Sequence, residues 1–186
     1  MIPLWKSLIQ PHLDYCCQVW APSMSRVAIK SQEQILKSFT KKIKGCYHLS
    51  YWERLKTLKM LSTQRRIKRY RVIYIWKSIR GLVPDLGLGR ITNNPRTGLM
   101  IDVPNIRGIR TKHKTLIEDS FKIEGAKLFN SIPRYLREHV GSQEAFKTHL
   151  DVFLASIPDE PQGKDWATHR AWDYKIKPSN SLRDWV

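Results

Sequence analysis

The chain has 186 residues, 41% hydrophobic and 10% aromatic, which is enough to bury a core and too apolar for a disordered segment. Its 33 Lys and Arg against 16 Asp and Glu leave a formal charge of +17, so a polyanion is the first partner to consider. Three cysteines are too few for a disulfide framework, and neither an export signal nor a transmembrane run is legible, so an intracellular setting, nuclear or cytoplasmic, is expected.

In chain order, Leu4, Leu8 and Ile9, then Leu13, Cys16, Cys17 and Trp20, predict two short helical pieces broken near Pro11. Pro22 and Ser23 end that unit. A helix is expected over 27–44, with Ile35, Leu36, Phe39 and Ile43 at helical spacing and Gly45 closing it. Ser50 and Glu53 form an S-x-x-E capping box ahead of a short helix that buries Leu55 and Leu58.

The next helix, over 63–80, is the most informative. "QRRIKRYR" is basic around most of its circumference and "VIYIWKSI" is apolar around most of its own. Such a helix is expected to be buried at one end and to project its cationic end from the core. Gly81 and Pro84 stop it. Residues 85–115, with "TNNPRTG" and "VPNIRG", read as loops holding at most a short strand around Leu99–Val103.

"SFKIEGAKLFNSIP" suggests a short extended piece and then a helical turn before Pro133. Ser142 N-caps a helix with an apolar stripe of Phe146, Leu150, Phe153, Leu154 and Ile157, ended by Pro158. The predicted fold is mainly α: a small helical bundle, a loop-rich middle with at most a short strand pair, and an extended C-terminal tail. Its parts are a basic helical region (1–84), a connector (85–119), a helical segment packing back on the first region (120–157), and a flexible tail (158–186).

Charge is unevenly placed. Residues 1–80 carry 17 basic and 3 acidic side chains (Asp14, Glu33, Glu53), a net of +14, while residues 81–186 carry 16 and 13, a net of +3. A surface charged only for solubility needs no such bias, whereas a phosphate-binding face does.

Chemistry is less well supported. His12 and Cys16 are four apart, and Cys46 with His48 would be needed to complete a tetrahedral zinc set. C-x-H chelates poorly beside the usual spacings, and Pro11 disturbs the first pair. A Cys16 nucleophile with His12 as its base lacks a group to orient the histidine and an oxyanion donor. Both adjacent cysteines therefore read as small apolar fillers. The glycines are scattered, "DLGLGRI" lacks the strand-before, helix-after context of a phosphate loop, and the first half has too few carboxylates for paired-acid metal chemistry.

The basic segment remains. From Lys37 to Lys77 there are 13 Lys and Arg and one acid, Glu53, interleaved with Phe39, Tyr47, Tyr51, Trp52, Tyr70, Tyr74 and Trp76. Cations that grip phosphates beside aromatics that stack on bases are the composition of a nucleic-acid surface. The plain alternative is a solvated cationic face over an aromatic core. A basic amphipathic helix also suits an anionic membrane or a calmodulin-type partner.

"LWKSLIQPHLDYCCQVWAP" resembles the Y-K-S-L-x-x-x-x-L-[DE]-Y-C-x-x-[VL]-W stretch downstream of the polymerase core in non-LTR retrotransposon (LINE, jockey-like) reverse transcriptases. "SQEQILKSFTKKIKG", "LSYWERLKTLKMLSTQRRIKRYRVIYIWKSIRGLVP", "SFKIEGAKLFNSIPRYLRE", "FKTHLDVFLASIPDEP" and "SNSLRDW" resemble the same family in the same order, so the likeness covers nearly the whole chain. The resemblance implies a thumb and C-terminal fragment of an RNA-directed DNA polymerase, holding RNA, RNA–DNA hybrid or DNA. Cys16 matches the family's cysteine, and Cys17 has no family role.

The palm's [FY]-A-D-D box is absent, so the parent's Mg²⁺ chemistry has no catalytic residues here, and the chain as it stands is expected to need no cofactor and not to be an enzyme. Partners expected are nucleic acid and the missing polymerase core, not a membrane. Without that core, Trp5, Leu8 and Trp20 are expected to be exposed. The phosphate contacts expected are Lys41, Lys42, Lys44, Arg65, Arg66, Lys68, Arg69 and Arg71, with Tyr47 and Trp52 as stacking candidates. The alternative is a helical protein-interaction module or a non-functional element remnant.

Overall fold

Pro11 does not break the first helical stretch. The computed structural model describes residues 1–21, 26–85, 87–105, 117 and 120–159, and in it α1 (Ile2–Leu4) runs through a π-helical turn (Trp5–Ile9) into α2 (Gln10–Asp14). The wide turn closes with the Gln10 N–H donating to the Trp5 carbonyl, five residues back. Pro11, which has no N–H to give, then lies in the first turn of α2, where none is needed. The break falls instead at Tyr15, which is extended, and Cys16, which is left-handed at φ 50° ahead of α3 (Cys17–Trp20).

Next come α4 (Arg26–Lys41), α5 (Tyr51–Thr57) and α6 (Thr63–Ile79). The buried face of α4 carries Ile29, Glu33, Leu36 and Thr40, spaced four, three and four apart. Two of these are polar, so a reading by apolarity alone puts Ile35 on that face, whereas Ile35 is exposed. The capping box of α5 forms as expected: the Ser50 N–H donates to Glu53 Oε2 at 2.8 Å and the Glu53 N–H to Ser50 Oγ at 3.4 Å.

By compactness the described chain divides between Tyr70 and Arg71, inside α6, whereas composition suggests a division near Pro84. The first unit, Met1–Tyr70 with Pro158 and Asp159, has its core around Trp5, Leu36, Tyr51, Leu55 and Met60. Trp5 stacks on Phe39 with ring centroids 4.4 Å apart and is only 1% exposed, so it is core and not the exposed residue expected. Leu8 is exposed and Trp20 half-buried. Cys17, Ala21 and Ile67 form a smaller cluster.

The second unit, Arg71–Ile157, gathers the apolar half of α6, strands β1 (Ile91–Asn94) and β2 (Gly98–Ile101), and helices α7 (Phe121–Ser131), α8 (Arg134–Arg137) and α9 (Gln143–Ser156). The strands pair antiparallel with Ile91 opposite Ile101 and Asn94 opposite Gly98. Asn130 of α7 docks on β2, accepting the Ile101 N–H at 2.9 Å and donating to the Ile101 carbonyl at 2.7 Å. Buried Arg137 donates to the Thr97 and Asn130 carbonyls and fixes the hairpin tip.

Where an extended piece and one turn were expected, α7 is an eleven-residue helix. A mid-helix glycine weakens the helical signal. Here a Cβ on Gly125 would come 2.9 Å from Ile75 Cδ1, so its absence lets α7 lie close to α6. The Ser142 cap forms, its Oγ accepting the Ala145 N–H at 3.2 Å, and α9 buries Phe146, Leu150 and Phe153, with Phe146 stacked on Trp76.

The fold is thus mainly helical with a two-stranded antiparallel sheet in its loop-rich middle. Beyond Asp159 the expected tail lies outside the described residues. No helix among the described residues is long and apolar enough to cross a membrane.

Candidate nucleic-acid interface

The cationic end of α6 does not project from the core. Arg65 and Arg66 are 6% and 4% exposed, and Arg71, at the start of the second unit, is 3% exposed. Arg65 Nε lies 3.0 Å from Asp159 Oδ1 and its Nη2 donates to the Pro158 carbonyl at 2.6 Å. Arg66 Nε lies 3.1 Å from Asp14 Oδ1, and Arg71 pairs with Glu124. Three of the expected phosphate contacts are therefore internal ion pairs, held where an external phosphate would have to displace a carboxylate. Lys68 and Arg69 are half-buried, the Arg69 guanidinium lying 5.6 Å from the Tyr70 ring centre.

Carboxylates also satisfy the first turn of α6. Asp159 accepts the Ser62 N–H and hydroxyl, and Ser62 Oγ accepts the Arg65 N–H at 3.2 Å. Glu33 accepts the Thr63 N–H at 2.9 Å and the Tyr51 hydroxyl. Burial pushes the Glu33 carboxyl above the usual glutamate range, against hydrogen bonds that favour its charge. It also pushes the Tyr51 phenol up, reinforced by the neighbouring Glu33.

All three acids of residues 1–80 are thereby engaged within the fold: Asp14 with Arg66, Glu33 with Tyr51 and Thr63, and Glu53 with Ser50. Among the described residues this unit turns mostly cations to solvent, with Glu53 an exposed exception. Lys37, Lys41, Lys42 and Lys44 are exposed, and none pairs with a carboxylate among the described residues. Lys37 and Lys41, four apart, share one face of α4. Lys37 was not among the expected contacts, although its spacing to Lys41 was there to be read.

Beyond α4 the chain turns tightly. The Lys42 N–H donates to the Phe39 carbonyl at 3.0 Å, Cys46 to Ile43 at 3.1 Å and Leu49 to Cys46 at 3.2 Å, with Gly45 left-handed at φ 84°. Cys46 is buried, and Tyr47 beside it is 72% exposed. The other stacking candidate, Trp52, is half-buried against the Trp5 cluster and tilted on Tyr51, so it offers no open face comparable to Tyr47.

His12, Cys16 and His48 are exposed, while Cys17 and Cys46 are buried. The filler reading holds for Cys17 and fails for Cys16, which the left-handed turn ahead of α3 leaves exposed. Among the described residues no three His, Cys, Asp or Glu side chains gather as a metal site. No family model matches this chain, and neither a curated protein nor a solved structure does.

Proposed function

We propose that this chain is a non-catalytic, nucleic-acid-binding piece of a retroelement RNA-directed DNA polymerase. It grips RNA, RNA–DNA hybrid or DNA through backbone phosphates, without sequence readout. The observation that carries this reading is the group Lys37, Lys41, Lys42 and Lys44: four exposed cations that pair with no carboxylate among the described residues, in a unit where Asp14 and Glu33 are buried and engaged elsewhere. Such cations release counterions from a phosphate backbone when they dock on it. The retroelement origin rests on the ordered motif resemblance. A polymerase Mg²⁺ site does not fit the residues present, since the [FY]-A-D-D box is absent, and no catalytic step is assigned.

A second reading, a helical interaction module, is favoured by the exposed apolar side chains of Leu4, Leu8, Tyr15 and Val19. Salt separates the two. Fluorescence anisotropy with labelled RNA, DNA and hybrid should show affinity falling steeply with salt. The variant with all four lysines changed to Gln should lose up to about 3 from the slope of log affinity against log salt. Weak, salt-independent binding by both proteins would overturn the nucleic-acid reading and favour the apolar one.

A further inference from the structure

Tyr47 differs from the other aromatics of the basic segment. Tyr51 is buried, Phe39 and Trp52 pack on the first unit's core, Trp76 lies in the second unit's core and Tyr74 packs against it, while Tyr47 leaves 72% of its surface open. Its backbone sits in a closed turn all the same. Left-handed Gly45 and buried Cys46 precede it, and the Leu49 N–H closes onto the Cys46 carbonyl behind it. The Tyr47 and His48 rings lie edge-to-face, 5.3 Å between centroids at 83°, which leaves a face of the phenol available.

The lysines are within reach. Lys44 is three residues from Tyr47, and even an extended chain spans at most about 3.5 Å per residue, so their backbones lie within about 10 Å. A lysine side chain and a tyrosine ring at that separation can meet the phosphate and the base of neighbouring nucleotides. We infer that this turn is a docking point for an unpaired nucleotide, its base stacked on Tyr47 and its flanking phosphates held by Lys42 and Lys44. The ligand class is single-stranded RNA or DNA, or a single-stranded overhang. A blunt duplex is a poorer ligand for Tyr47, because its bases are already stacked on one another. This inference rests on the phosphate-binding reading above and deepens it.

The test compares the full chain with Tyr47→Ala and Tyr47→Phe, by anisotropy, on labelled single-stranded RNA, single-stranded DNA and a blunt duplex over a range of salt. Tyr47→Ala should weaken both single strands on the order of 10-fold with an unchanged salt slope, and leave the duplex alone. Tyr47→Phe should bind as the parent does. Because Tyr47 is exposed, thermal melts of all three proteins should coincide, which excludes misfolding as the cause. Single-strand binding unchanged in Tyr47→Ala, with the four-lysine variant still lowering the slope, would overturn this inference and leave the phosphate reading standing. An equal loss on single strands and blunt duplex would overturn the assignment to unpaired bases. Absence of salt-steep binding in the parent would overturn both readings together.

Discussion

Asp159 accepts the Ser62 N–H at 2.7 Å and the Ser62 hydroxyl at 2.8 Å across 97 positions of sequence. The same carboxylate lies 3.0 Å from Arg65 Nε, so one group caps α6, meets the positive end of its dipole and neutralises a buried guanidinium. Asp159→Ala removes all three interactions and should cost about 2–4 kcal/mol, read as a lowered urea midpoint. Arg65→Met with Asp159→Ala should cost less than the sum of the two single changes, since no unpaired charge is then left. An unchanged midpoint in Asp159→Ala would show that the clamp does not form.

Glu33 and Glu53 should move stability with pH in opposite directions. Burial raises the Glu33 carboxyl, so the folded chain holds that proton more tightly than the unfolded one. Its contribution is full below the ordinary glutamate range and lost as pH rises through the raised folded value. Glu53 lies below the ordinary range because the Ser50 side chain and backbone hydrogen-bond its charged form. Its contribution is present above that range and lost as pH falls through the depressed folded value. Relative to the parent, Glu33→Gln should therefore gain stability as pH climbs, while Glu53→Gln should trail at neutral pH and converge in acid. Urea midpoints from about pH 3 to about pH 8 give both trends, and curves parallel to the parent's would contradict them.

Helices α5 and α6 end in the same pair of backbone bonds around different residues. The Met60 N–H reaches the Leu55 carbonyl at 2.9 Å and Lys59 reaches Lys56 at 3.1 Å, while Leu82 reaches Lys77 at 2.9 Å and Gly81 reaches Ser78 at 3.0 Å. Both turning residues are left-handed, Lys59 at φ 48° and Gly81 at φ 68°. A side chain makes that conformation costly, so Lys59→Gly should stabilise by about 0.5–1 kcal/mol, the relief exceeding the added freedom of the unfolded chain. Gly81→Ala should destabilise by about 1 kcal/mol through the backbone alone, as a Cβ there meets nothing within 4 Å. Thermal melts of the two variants should shift in opposite directions.

The sequence showed those features whose determinants lie within a few residues of each other. The Ser50–Glu53 box, the Ser142 cap and the Gly81 stop are of this kind, and each forms where its spacing placed it. The extent of α7 was hidden because Gly125 carries a helix-weakening signal locally, while its use, close approach to Ile75, is a long-range fact. The ion pairs of the cationic segment are hidden for the same reason. Counting charge along 37–77 finds one acid, yet the partners of Arg65, Arg66 and Arg71 are Asp159, Asp14 and Glu124, all outside that window. The lysines stayed legible as surface because no carboxylate among the described residues pairs with them.

This division of the cations can be tested directly. Changing Lys37, Lys41, Lys42 and Lys44 to Gln alters exposed side chains, each worth at most about 0.5 kcal/mol, so the melt should barely move while the salt slope of nucleic-acid binding falls. Arg66→Ala leaves Asp14 buried without its cation, and should cost about 3–5 kcal/mol. At temperatures where that variant remains folded, its binding should keep the parent's slope, because the lost guanidinium faced a carboxylate and not a phosphate. Arg71→Ala should behave in the same way with a smaller loss of stability, since Glu124 is partly open to water. A lowered slope in either arginine variant with its fold intact would return the binding face to α6 and take it from the end of α4.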